Sequence, residues 1–208
     1  MMEGSTPVFV SIETSAFSGA TLLAILLGAH PDITTIGEIH GLIDRSNPRT
    51  YLCSCGKKIR NCEFWKAVKK SMQEKGFQFD IAHFDTRYRY KGSRILNDFR
   101  HGSSRNYLID SIRDKVVFSL PGEKEQINRY VDRNAALVQS VLEVTGNNVF
   151  VDSSKSRMLL RTFPKYSAFD VRAIHLIRQP EGVVASQLRR SGKGNVVEES
   201  RSWVKRHR

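Results

Sequence analysis

Residues 14–23, TSAFSGATLL, lie between two apolar runs, PVFVSI at 7–12 and LLAILLGAH at 22–30. An apolar β-branched strand, a loop of small residues and a helix start, in that order, make a cradle for phosphate or another tetrahedral anion. Ser18, Gly19, Ala20 and Thr21 lack bulk, so backbone N–H groups can close on an anion at the positive end of the helix dipole. Ser18 and Thr21 add hydroxyl donors. The loop has no Lys or Arg of its own. Because no Lys follows Gly19, it departs from G-x-x-x-x-G-K-[ST], which disfavours γ-phosphate cleavage of the usual kind. A small-residue turn can also serve packing alone. The balancing positive charge has to come from elsewhere in the chain.

Outward from this loop, hydrophobic spacing predicts a strand over 8–12 and a helix from about Ser18 to His30-Pro31. A short second strand follows over 33–36, leading into Gly37-Glu38, and 41–56 reads as loop. Phe64, Trp65, Val68 and Met72 recur at helical spacing after Asn61. Ile127, Val131, Leu137, Val138, Val141 and Leu142 mark one face of a helix over 123–145, with Gly146 as its cap. A third strand over 149–151 ends in DSSK, and a fourth over 171–177 ends in RQP, where Pro180 suits the first turn of a new helix. Residues 76–120 are polar, rich in Arg and Tyr, and read as an insertion or lid. The alternation predicts an α/β fold with a central parallel sheet flanked by helices.

In open parallel sheets ligands gather at the carboxyl ends of the strands. Here those ends carry TSAFSGAT, DSSK and RQP. Arg178 can grip a phosphate in a planar fork, and Ser186, two helical turns on, can add a hydrogen bond. An Arg at a sheet edge and a Ser packed within a helix account for the same pair. Lys155 is the cation of the DSSK segment.

The chain's 208 residues suit a single domain over 1–208. Its net charge of +12 points to anionic partners. No aromatic-interleaved basic face or reading-helix motif supports nucleic acid as that partner. No run approaches a membrane span, and the acidic residues before Ala16 are the wrong charge for a secretion leader, so a cytoplasmic location is expected. Cys53, Cys55 and Cys62 cannot form a closed disulfide set. CSCGKKIRNC supplies three quarters of a zinc site, with His40 as a fourth ligand, or simply a tight Gly56 turn carrying reduced thiols or one opportunistic disulfide. The second reading is preferred here.

FSGATLLAILLGAHPDITTIGE, VDSSK and IHLIRQPEGVVASQLR resemble, in order, the signatures of sulfotransferases that use 3′-phosphoadenosine 5′-phosphosulfate (PAPS). CSCGKKIRNCEFW is similar to a segment in bacterial members and in relatives of the tyrosylprotein branch. The resemblance covers 7–65 and 149–191 and hardly touches 76–120. It implies a P-loop-NTPase-like three-layer fold and transfer of a sulfuryl group to a hydroxyl or amine of a glycan, peptide or small molecule, with no metal. It assigns the 5′-phosphosulfate to Ser18, Gly19, Ala20 and Thr21, and the 3′-phosphate to Arg178 and Ser186. Glu38 matches the residue that takes the acceptor's proton, with His40 as a second base. Lys155 matches the residue that steadies the transferring group, and Asp152 is expected to orient it. Glu38 could equally cap a helix or pair with Arg45.

Two departures bear on activity. Phe17 stands where the resemblance expects a cation, and Ala20 where it expects Thr, so Lys155 is the expected source of charge on the leaving oxygen. RSWVKRHR reads as a continuing helix with Trp203 and Val204 facing the core, so the C-terminal part of the usual domain is expected to be missing. A nucleotide-binding module without catalysis is the alternative. Arg87, Arg89, Lys91 and Arg94 are candidates for an acceptor's entrance, or for a solvated surface.

Overall fold

The computed structural model describes residues 5–41, 50–89, 92, 94–102, 104, 106–191 and 195–207. Strand β1, Val8–Glu13, is followed by helix α1, Ala20–Leu27, and strand β2, Ile33–Thr35. Then come α2, Glu63–Glu74; α3, Arg94–His101; α4, Tyr107–Ser119; and α5, Pro121–Thr145. The chain ends with β3, Val149–Asp152; α6, Arg157–Tyr166; β4, Asp170–His175; α7, Pro180–Ser191; and α8, Val196–His207. The four strands form one all-parallel sheet in the order β2-β3-β1-β4. The fold is therefore α/β with a parallel sheet and flanking helices. None of the described helices is long and apolar enough to cross a membrane.

The chain forms two compact units. The first contains residues 1–39, 141–160 and 168–208 and holds the sheet. Alternation along β1 sends Phe9 to one face and Ile12 to the other, both fully buried. Ile12 and Val151 meet Ala20 and Ala24, whose small side chains one helical turn apart let α1 lie close on the sheet. Phe9 stacks on Phe150 with ring centroids 5.9 Å apart, and Phe169 meets Phe9 edge-on. Gly146, at φ 75, ends α5 as expected, its amide and that of Asn147 both returning to Leu142 O. Pro180 opens α7, also as expected.

Trp203 and Val204 do not both face a core. Val204 is exposed, while Trp203 is half-buried and donates its indole N–H to Arg178 O at 3.2 Å. The indole thus acts as a polar handle on the RQP turn, and α8 packs against α7.

The second unit, residues 40–140 and 161–167, contains all of 76–120. Phe79, Ala82, Phe84, Thr86 and Tyr88 are buried while their polar neighbours are exposed, a strand-like alternation in a segment that forms no strand. Its backbone carbonyls are satisfied from the side by α5. Arg133 donates to Phe84 O and Gln78 O, Asn134 donates to Thr86 O at 3.1 Å, and Gln126 donates to Arg89 O. Trp65, Phe79 and Phe84 pack as an aromatic cluster beneath it, and Tyr130 meets Tyr88 edge-on.

Candidate functional site

Strand β1 lies between β3 and β4, so the loop after it has the other two loops as immediate neighbours, one strand spacing away on each side. The register sets Glu13 opposite His175. Leu176 N donates to Glu13 O at 2.9 Å and Thr14 Oγ1 donates to Leu176 O at 2.5 Å, which ties the ends of β1 and β4 together.

Gly19, at φ 97, is the residue before α1 and supplies no capping side chain, so no side chain competes for the helix's first N–H groups. Ala20 is buried, and Thr21 is exposed one residue on. Ser18 is buried, its hydroxyl 2.7 Å from that of Ser15. Phe17 adopts φ 64, a left-handed conformation unusual for a residue with a Cβ. Its carbonyl accepts Arg178 Nη1 at 2.9 Å, and the same nitrogen lies 3.3 Å from Ser186 Oγ. A Cβ on Gly182 would come within 2.7 Å of Arg178 Nε, so the missing side chain makes room for the guanidinium over α7.

On the other side of the loop, Lys155 also takes a left-handed conformation, φ 57. Its Nζ lies 3.4 Å from Glu38 Oε1, with both side chains partly buried. A cavity of about 380 Å3 is lined by Glu13, Thr14, Ser15 and Ala16 of the loop and by Lys155, Arg157 and His175. That volume falls within the usual small-ligand range, roughly 300–1,000 Å3. Of the site residues expected from sequence, Lys155 alone is among the described lining of this cavity; Ser18 is held against Ser15, and Arg178 reaches the loop at Phe17 O. Arg45 lies outside the described residues.

Arg157 and His175 escaped the sequence reading. Arg157 opens α6, where a cation faces the positive end of the helix dipole. Ser156 ahead of it accepts Leu159 N at 3.4 Å as the cap. That local electrostatic mismatch, two residues beyond Lys155, was the available signal.

Asp152 does not orient Lys155 directly. It is fully buried; Oδ1 accepts the amides of Ile39 and Ser154 at 3.0 and 3.1 Å, and Oδ2 accepts the Ser154 hydroxyl at 2.5 Å. Three backbone and hydroxyl donors hold the short carboxylate in place. It fixes the chain beside Glu38 and beside Lys155 instead. Burial pushes its pKa up to about 6; the Glu13 charge adds to this, while the Ser154 and Ile39 hydrogen bonds oppose it. The native state thus holds a proton that the unfolded chain releases near pH 4, so this group's contribution to stability falls as pH rises from about 4 to about 6. The loss amounts to about 3 kcal/mol. Asp152→Asn should flatten that part of the stability-versus-pH curve relative to the parent chain, read by denaturant unfolding. Parallel curves would refute the assignment.

His40 is half-buried beside Thr86 and Arg87 in the second unit and is not part of the Glu38–Lys155 pair. Burial and the Arg87 charge lower its pKa to about 4, and its Nδ1 has no hydrogen-bond partner. The second unit has its own cavity of about 490 Å3, lined by Arg87, Arg89, Arg129 and Arg133 together with Tyr88 and Tyr130 among others. Arg129 and Arg89 are paired with Glu125 and Asp85. Lys91 lies outside the described residues, as does the side chain of Arg94. Although this cavity is larger, the strand-end cavity brings Lys155 and Arg157, which follow β3, beside the loop that leads into the uncapped start of α1. Comparison with protein-family models, with curated proteins and with solved structures found no match.

Proposed function

We propose that the chain is a PAPS-dependent sulfotransferase built on a P-loop-like fold, moving a sulfuryl group to an acceptor hydroxyl. One observation carries the reading: β1 is flanked by β3 and β4, so the DSSK and RQP ends border the TSAFSGAT loop. In this reading the amides of Gly19, Ala20 and Thr21, with the Ser18 and Thr21 hydroxyls, take the 5′-phosphosulfate. Arg178 uses its remaining guanidinium donors, with Ser186, for the 3′-phosphate.

The acceptor oxygen attacks sulfur in line, and the bond from sulfur to the bridging oxygen breaks with its electron pair left on the bisphosphate. Glu38 receives the acceptor's proton. Lys155, supported by Arg157, offsets the charge that develops on the bridging oxygen, which Phe17 cannot do. Lys155, which lines the strand-end cavity, lies 3.4 Å from Glu38, and that closeness supports a shared role for the pair. Thiol chemistry has no part in this step.

A thermal-shift panel with 3′-phosphoadenosine 5′-phosphate, ATP, GTP and sulfate tests the reading. Selective stabilisation by the first compound is expected, and preference for ATP would overturn it. Gly182→Ala provides the internal control. The added methyl displaces Arg178, so affinity for the bisphosphate should fall about 10- to 100-fold, the worth of a charged hydrogen bond, with the melting temperature unchanged in its absence. Phe17 favours a second reading, a nucleotide-binding module without turnover. Only the enzyme would consume PAPS in the presence of an acceptor.

A further inference from the structure

The segment Tyr51–Cys62 is poorly supported by burial. Leu52 is 60% exposed, and only Ile59 and Cys62 of this stretch are buried. Leu52 and Lys58 form a single antiparallel bridge. Cys53 N donates to Lys57 O and Gly56 N to Cys53 O, both at 2.9 Å, while Ile59 N returns to Tyr51 O. Gly56, at φ 81, takes the left-handed conformation that this turn needs. A two-stranded hairpin with so little apolar cover is marginal in water and needs a second source of order.

That source is visible at the turn. The hairpin carries Cys53 and Cys55, and a single 3-10 turn, Ile59–Asn61, returns the chain to Cys62 at the start of α2. Cys62 Sγ lies 3.5 Å from Cys53 Sγ and 3.6 Å from Cys55 Sγ, and all three sulfurs fall within 4.8 Å of one another. Tetrahedral zinc–thiolate bonds of about 2.3 Å set sulfur–sulfur edges of about 3.8 Å, close to both separations. Cys62 approaches its two neighbours almost equally, which suits a shared centre better than one disulfide with a leftover thiol. Three thiolates around a divalent ion carry a net negative charge, and Lys57, Lys58 and Arg60, all exposed on the same segment, offset it.

We infer that Cys53, Cys55 and Cys62 form a three-thiolate zinc site that staples this hairpin to the start of α2. His40, the fourth ligand considered from sequence, does not join the cluster; among the described residues neither does any other His, Cys, Asp or Glu. Water takes the fourth position on the exposed side, where Cys55 faces solvent. Zinc enters as each thiol gives up its proton, with no change of oxidation state. The assignment is independent of the sulfotransferase reading.

The test uses the full chain, reduced, loaded with zinc and desalted, with metal content measured by elemental mass spectrometry. One zinc per chain is expected, released in full by a mercurial thiol reagent. Cys62→Ser should lose stoichiometric zinc. Cys55→Ser, at an exposed position, should do the same even if the Cys62 variant fails to fold. Cobalt(II) in place of zinc should give a thiolate charge-transfer band that both variants lack. Amide exchange across 51–59 should quicken when a chelator strips the metal. A reduced chain that retains no zinc and shows no cobalt band would overturn the site. So would zinc content unaffected by both substitutions, or a disulfide among these cysteines in metal-loaded protein.

Discussion

Lys155→Ala is expected to lower PAPS turnover by about 100- to 1000-fold while the donor still binds, the usual cost of removing one group that stabilises developing charge. The loop carries no cation of its own, and Lys155 lines the same cavity as residues 13–16. Its ammonium should matter mainly as the sulfur–oxygen bond breaks, so the loss falls on kcat and not on ground-state binding. Lys and Ala tolerate φ 57 about equally badly, so the substitution changes charge without a new backbone penalty. The check is single-turnover kinetics beside calorimetric binding of 3′-phosphoadenosine 5′-phosphate. Turnover unchanged from the parent would end the assignment of Lys155, and with it the proposed chemistry.

The largest effect on stability should come from Asp114→Ala, in the second unit. Asp114 is buried and accepts hydrogen bonds from both nitrogens of the Arg161 fork, Nε at 3.0 Å, and from Arg113 Nη2 at 3.2 Å. Arg161 also lies 5.3 Å from the Phe118 ring centroid, and Arg113 is bound to Asp110. Removing the carboxylate leaves two guanidinium groups, 16% and 21% exposed, crowded together without their shared counter-charge. Breaking a buried pair from one side costs about 3–5 kcal/mol. Both arginines retain some solvent, so the lower end applies, and the melting temperature should fall by roughly 10 °C. A fall under about 2 °C would show that water already screens the cluster.

The sheet was legible because its signals are local. Val8–Glu13 and Val149–Asp152 are short apolar runs, and Gly146 and Pro180 punctuate helices through their own backbone restrictions. From strand ends alone, the sequence reading also named residues on both sides of the loop, Lys155 and Arg178. It missed what depends on long-range partners. The alternation of Ala82, Phe84, Thr86 and Tyr88 was present in the sequence. Its carbonyls, however, are held by Arg133, Asn134 and Gln126, more than thirty residues away, and such bonds leave no local trace. Asp152 looked like a partner for the nearest cation because the amides it binds, at Ile39 and Ser154, do not show in residue types. Gly182 is likewise explained only once Arg178 lies above it.

Phe17 and Lys155 both hold the left-handed conformation, at a cost of about 1–3 kcal/mol each for a residue bearing a Cβ. Glycine at either position would relieve that cost and make the fold more robust. At 155 it would also delete the ammonium on which the proposed chemistry depends. A thermostability screen of this protein that ignored activity would therefore enrich variants lacking the cation that the proposed chemistry needs.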